Sequence, residues 1–576
     1  MPTSKIVIKI KDTFFLQNET VIANPGKLVV DDKFFHDFNF GRVNELYPIL
    51  KNVGNISKSK FVFSNLMAQI AAKDLNGKIE SLFSVEDSTN VVNLMQMAND
   101  RSKDIGENLL NYYFIEVDSD NATRKLGELN ELKISSPNLG IDYFYLRGTL
   151  ANFEQQSVPH STGGVFVHND IPVGEATRLP KSFANRLQPE VLTMNKIAPS
   201  TATVSQSDPV SRVGTFDLPI PIPPLANVQP IHTIFQKFFI SFGTNLASPD
   251  PLKPTIKLVD MEQGWVFDLS IRYPNSGFPP SVIKPILGGG KVNNIAFNQH
   301  GQKTLNVLLG KDNSISNVDN MATLNGLCVG ADVQVASTHY PVKGERREAA
   351  LASVLGYGYN QTKESISGST TKPLNLYDIV LLELQISKTY KIYPNLTSSS
   401  QNSLSGSVAS SYFPVEIEPA MWDVIKKGIS AKYIIIEAAG NGNINLNNVY
   451  ESPFSTLKDL SSLSKGTGAI MVGAVDINGL PKLNNGNRIN CRCFGDDVIT
   501  SANITPTNNK PFNSTSLASA ITAALVANFQ SMAENTTTGI GRRLTIIEIM
   551  RVLNYVPTLP PAVSFKALLN QKLSIY

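Results

Sequence analysis

Tyr433-Ile434-Ile435-Ile436-Glu437-Ala438-Ala439-Gly440-Asn441-Gly442-Asn443 is the stretch on which the fold of this chain turns. An apolar, β-branched run through Glu437 reads as a strand, and the small residues and glycines behind it read as a loop. A helix-patterned segment, Pro419 to Ile429, precedes it, and a second β-rich run, Ala469 to Val475, follows. Working outward, further strand-like runs lie at Thr255 to Val259, Ala331 to Ala336 and Ile379 to Ile386. Helical patterns separate or flank them at His300 to Leu309, Gly344 to Leu355 and Thr515 to Met532. Strand and helix in alternation predict an α/β unit over 251–576, with a mostly parallel sheet and helices on both faces. Two Ser/Thr-rich stretches, Gln361 to Thr371 and Ser398 to Ser411, read as surface insertions in it.

The rest of the chain divides differently. Residues 1–135 carry an alternating strand at Lys5 to Ile10, a helix-like stretch from Val91 to Leu110 and an apolar run from Tyr112 to Val117. A second helical pattern, Asn121 to Leu132, completes what reads as a small α+β N-terminal domain. Residues 136–250 are rich in turn formers, with a Pro-Ile-Pro-Ile-Pro-Pro run starting at Pro219. That composition predicts an extended connector.

Bulk properties mainly exclude. Of 576 residues, 42% are hydrophobic and 17% charged, enough apolar side chain for a sizeable core. Lys and Arg number 51 against 48 Asp and Glu, so nothing argues for nucleic acid as a partner. Cys328, Cys491 and Cys493 are too few for a disulfide framework, and the Cys491–Cys493 spacing is too close for a usual zinc site. Lysines interrupt the apolar runs of the N-terminus, no signal-peptide core is visible and no stretch approaches a membrane-spanning length. The expectation is a cytoplasmic protein without a membrane partner, with non-conventional export as the alternative. Oligomeric state is not legible.

In an open α/β sheet, function gathers where strands end. Here Asp260 closes the strand at Val259, His300-Gly301 opens a helix, Asn441 follows a strand, and Ser514-Thr515-Ser516 opens another helix. Each alone has an ordinary reading as a turn residue, helix start, loop residue or cap. Together, in the order Asp, His, Ser, they resemble the subtilisin-like serine peptidase family. The matching motifs are Val259-Asp260, His300-Gly301, Ala438-Ala439-Gly440-Asn441 and Thr515-Ser516-Leu517-Ala518. Asp260-Met261-Glu262-Gln263-Gly264-Trp265, and the segment from Phe413-Pro414-Val415-Glu416 through Gly442, look like one bacterial branch of it.

That resemblance implies a serine endopeptidase acting on a protein or peptide substrate. Ser516 would be the nucleophile, His300 its general base, and Asp260 the group that orients the imidazole. Asn441 would donate to the oxyanion beside the Ser516 N–H. Gly440 and Gly442 would let the backbone approach a bound peptide, and Glu383, Leu384 and Gln385 would belong to a substrate-edge strand open to β-augmentation. Glu262 follows the acid closely and is a candidate to line the cleft, whereas His36, His160, His168, His232 and His339 lack a matching neighbourhood. No organic cofactor and no metal is implied; the family often binds structural calcium, but no Asp-rich loop is visible. The family also often carries an α+β propeptide that plugs the cleft, a role open to residues 1–135. Three positions depart from the motifs: Gln302 replaces Thr, Ser514 replaces Gly, and Ala520 replaces Pro. They motivate a rival reading, a catalytically impaired pseudoprotease serving as a binding or scaffold protein; an esterase using the same site is a third.

Overall fold

The computed structural model describes residues 3–11, 79–83, 89–104, 106–136, 140–151, 256–262, 284–285, 300–301, 304, 307–308, 331–340, 344–359, 373–392, 407–448, 465–475, 481–495, 514–534 and 539–555. Most of the expected connector, the Gln361 to Thr371 insertion, Gln302, and His36, His160, His168 and His232 lie outside them.

An antiparallel sheet forms the N-terminal unit from β1 (Thr3–Ile10), β2 (Ile79–Ser81), β3 (Tyr112–Asp118) and β4 (Ile141–Leu146), in the order β2-β3-β1-β4. Helices α1 (Thr89–Ser102) and α2 (Ala122–Ser135) accompany it. The sheet therefore runs past the boundary drawn at 135, because β4 supplies the partner for β1. α1 stops well short of Leu110. Lys103 takes a left-handed conformation (φ 56°), and a single tight turn at Leu109–Asn111 is capped by the Asn108 side chain accepting from Leu110 N–H. Lys9, one of the lysines that interrupts the N-terminal apolar pattern, is buried. Its ammonium lies 3.0 Å from Glu107, donates to Asn108 O and sits over the Tyr112 ring.

After β5 (Thr149–Ala151), the second unit contributes β6 (Lys257–Glu262), β7 (Lys284–Pro285), β8 (Asp332–Ser337), the short hairpin β9 (His339–Tyr340) and β10 (Gly344–Glu345), then β11 (Ile379–Leu382), β12 (Gln385–Ile392), β13 (Ser407–Pro414), β14 (Ile434–Ala438), β15 (Ile470–Val475), β16 (Pro481–Lys482) and β17 (Cys491–Phe494). Its helices are α3 (Arg347–Gly356), α4 (Pro419–Ser430), α5 (Thr515–Glu534) and α6 (Ile546–Tyr555). Eight strands form one sheet in the order β16-β15-β14-β11-β6-β8-β7, with β17 also on β15. Every pairing in it is parallel except β15–β16.

Alternation along the strands sends residues to opposite faces. Leu258, Val335, Leu381 and Ile436 join the core with α5 and α6. Val259, Met261, Val380 and Ile435 join the core with α3 and α4. The mixed α/β class with a mostly parallel sheet and helices on both faces is thus what the chain adopts. α5 is long and apolar enough to span a bilayer by length and composition, contrary to the expectation from sequence, but 94% of that window is buried inside the protein.

Three expected elements shift. β6 continues to Glu262, so Asp260 stands inside the strand, paired in register with Leu381 and Val335. The run Ile379 to Ile386 is two strands: β11 stays in the large sheet, and after Glu383-Leu384 the chain enters an antiparallel sheet ordered β13-β12-β5. The expected insertion Ser398 to Ser411 includes the first residues of β13, and Ser411 is buried. α3 opens at Arg347 rather than Gly344, because Gly344 and Glu345 pair with Tyr340 and His339.

The two units share a core. α1 packs against α3 and α4, and Leu94, Tyr112 and Phe114 join the cluster formed by those helices and the sheet. A buried ion cluster lies at the seam. Arg147 binds Glu345 and, at 2.7 Å, Glu348; Gly148 N–H donates to Glu418 at 2.6 Å; Arg347 donates to Gly148 O and Glu418. Burial alone would raise the Glu418 carboxyl, but Lys388, Arg347 and Arg147 outweigh it and hold it at about 2.

Candidate functional site

The start of α5 is built by short polar residues. Ser514 N–H donates to Gly495 O at the end of β17, and Ser514 Oγ accepts from Leu517 N–H at 3.1 Å, so Ser514 serves as the N-cap. Thr515 and Ser516 are the first two helical residues. N–H groups at that position have no partner within their own helix, and the helix dipole places partial positive charge there. Ser516 is fully buried, and its Oγ makes no hydrogen bond among the described residues.

The Gly-rich loop after β14 meets this helix start. Thr515 N–H and Oγ–H both donate to Asn441 Oδ1, at 3.0 and 2.9 Å, while Gly440 N–H donates to Thr515 Oγ1. Two donors fix which end of the amide is the oxygen, and planarity then turns Nδ2, the donor end, away from Thr515. The loop is clamped elsewhere too. Asn441 N–H donates to Gln385 Oε1 at 2.9 Å, and Ser411 Oγ donates to Gly442 O. Asn484 Nδ2 donates to Ala439 O and Tyr412 O, and its Oδ1 accepts from Ile444 N–H. Sequence reading missed Asn484; its only signal was an Asn pair, Asn484-Asn485, in a turn-rich stretch.

Gly440 has φ +87°, and a Cβ there would press on Asn484 and the backbone of Phe413. At Gly442 a Cβ would run into Tyr412 O and Ser411 Oγ. What these glycines approach closely is the protein's own β13.

Asp260, His300 and Ser516 all lie on the same side of the large sheet. Leu258 and Leu381 face α5, so strand alternation sends Asp260 the same way. His300, Gly301, Thr304, Val307 and Leu308 are helical, with Thr304 Oγ1 donating to His300 O, and Val307 and Leu308 pack into the α5 core. Asp260 and His300 are both buried.

Glu383 is fully buried as well. Its N–H donates to Met261 O, beside Asp260, and its Oε1 accepts from Ser519 Oγ at 2.8 Å, one turn beyond Ser516. Leu384 is in the core on the α3–α4 side. Gln385 pairs with Ala151, so the edge read as substrate-binding holds residues of the N-terminal unit: β5 lies antiparallel on β12 from Gln385–Ala151 to Ser387–Thr149. His339 shares a hydrogen bond at Nδ1 with Thr338 Oγ1 and lies on the β9–β10 hairpin.

Beneath the loop, Glu437 is pushed well above the usual carboxylate range by burial and by the neighbouring charge of Glu416. Glu416 is held by Arg488 and by Thr467 at 2.7 Å, and its N–H donates to Glu437 Oε1. Among the described residues no cluster of His, Cys, Asp and Glu has the make-up of a metal site.

No family model matches this sequence, and no curated protein does. Among solved structures, a cold adapted subtilisin-like serine proteinase matches at 12% identity, covering 52% of this chain and 80% of that chain, with a TM-score of 0.29. A likeness that slight carries no argument about chemistry, which has to come from the residues themselves.

Proposed function

We propose that the chain is a serine endopeptidase of the subtilisin-like class that hydrolyses peptide bonds in protein or peptide substrates. The observation that carries this reading is the Asn441–Thr515–Ser516 junction: a buried serine hydroxyl at a helix start, beside an amide whose oxygen is held by Thr515 and whose donor end is turned away from Thr515. In this mechanism His300 takes the Ser516 proton as Oγ attacks the substrate carbonyl carbon, and Asp260 steadies the imidazolium. Negative charge on the carbonyl oxygen is met by Asn441 Nδ2 and the Ser516 N–H. Collapse expels the amine, protonated by His300, and water then releases the acyl group from Ser516 by the reverse proton path.

The N-terminal unit acts on this site as a tethered inhibitor. Supporting it are β5 on the β12 edge, where an extended substrate would add as a strand, and the ion cluster that fastens Arg147 and Gly148 to α3 and Glu418. The same occupied edge favours the second reading, a binding protein that never turns over.

A fluorophosphonate probe separates the two, read by intact mass on wild type and Ser516→Ala. Labelling of the wild type that disappears in the variant supports the peptidase. A folded wild type left unlabelled, also after cleavage between residues 152 and 255, refutes it and favours the binding protein.

A further inference from the structure

Resting on the peptidase reading, we propose that the bend Glu383-Leu384-Gln385 is the frame that holds the nucleophile and the oxyanion loop in register, with Glu383 and Gln385 as positioning residues rather than substrate contacts. β11 lies mid-sheet between β6 and β14, the strand of Asp260 and the strand that leads to Asn441. Where β11 ends, two residues of the bend, Glu383 and Gln385, reach three parts of the site. Glu383 N–H donates to Met261 O at 3.1 Å, extending the pairing with the Asp260 strand. Glu383 Oε1 takes the Ser519 hydroxyl at 2.8 Å, and the same hydroxyl lies 2.9 Å from Ser516 O. Gln385 Oε1 takes the Asn441 N–H at 2.9 Å.

Glu383 and Gln385 are both fully buried, and each commits a side-chain oxygen to a protein group. A buried carboxyl is expensive unless it is hydrogen-bonded, so an element retained only for packing would not carry one here. Leu384, buried in the opposite core, anchors the bend between them. Glu383 acts on Ser516 through Ser519, and Gln385 acts on the oxyanion donor through the Asn441 backbone.

The test uses the whole chain after cleavage between residues 152 and 255, with the probe labelling rate at Ser516 measured beside kcat and KM for a peptide substrate. Glu383→Ala is expected to lower labelling and kcat about 100-fold, the scale of an ångström-sized misplacement, with KM unchanged. Glu383→Gln, which retains an acceptor for Ser519, recovers at least about tenfold of that loss. Should Glu383→Ala fail to fold, Ser519→Ala deletes the same bond at a helical position that favours alanine, and the same loss in kcat is expected. Wild-type rates in Ser519→Ala, or a loss carried by KM, overturn the proposal while leaving the peptidase reading intact. No Ser516 labelling in the wild type, also after cleavage between residues 152 and 255, overturns the peptidase reading, and this inference with it.

Discussion

Arg147→Ala is the perturbation that tests how the two units are held together. Arg147 is buried at the seam, bonded to Glu345 and to both carboxylate oxygens of Glu348, which is itself fully buried. Removing it leaves those acids facing each other with Arg347 as their remaining shared cation. Breaking a buried pair from one side costs about 3 to 5 kcal/mol. At about 1.4 kcal/mol per factor of ten, the opening equilibrium of the seam should rise about 140- to 3,700-fold. Amide hydrogen exchange of the full-length chain, in a Ser516→Ala background to prevent self-cleavage, reads this directly. Peptides covering Ile141–Ala151 should exchange faster by that factor, while peptides from α5 hold their wild-type rate. Equal acceleration in both would mean that the cluster supports the whole fold. No change in Ile141–Ala151 would mean that the cluster does not fasten the N-terminal unit, and the tethered-inhibitor reading would lose its energetic basis.

Other outcomes follow from the same geometry. Asn441→Ala should cost about 100- to 1,000-fold in turnover, the scale of one oxyanion donor, read as kcat on a peptide substrate. Gly442→Ala should lower the melting temperature and slow Ser516 labelling together, since its methyl meets Tyr412 O and Ser411 Oγ. Glu437, raised above its unfolded value, contributes stability that is complete below about pH 4.5 and is lost as pH climbs through its folded value. Glu437→Gln should therefore flatten the decline in urea-unfolding stability between pH 4 and pH 8. Glu418 works the other way: its contribution is present above about pH 4.5 and fades as pH falls through about 2, so acid should loosen the Gly148 contact. Exchange in Thr149–Ala151 at pH 3 against pH 6, corrected for intrinsic rates, checks this.

The large sheet was readable because strand and helix alternate with clear periods, and Ile434–Ala438 and Thr515–Glu534 fall within a few residues of where the patterns put them. The break at Glu383 was not readable, since Ile379 to Ile386 is one continuous β-prone run and only the pairing partners separate it into two sheets. Asp260 looked like a strand end because a charge follows an apolar run, but β8 and β11 carry the pairing beyond it. Ser514 looked like a defect and is a cap, a role visible only once the Leu517 N–H is in place. The seam is the least legible part. Arg147 and Glu348 are 201 positions apart, and nothing local in either segment announces the other.

One consequence of β5 lying on β12 concerns concentration. Because the occupant and the edge belong to one chain, a diffusing peptide competes against a local concentration that does not fall on dilution, on the order of millimolar for short tethers and lower for longer ones. A single cut anywhere in residues 152–255 makes the same contact bimolecular. Before the cut, occupancy is a fixed property of each molecule; after it, occupancy depends on how much protein is present, so that dilution alone would vacate the edge.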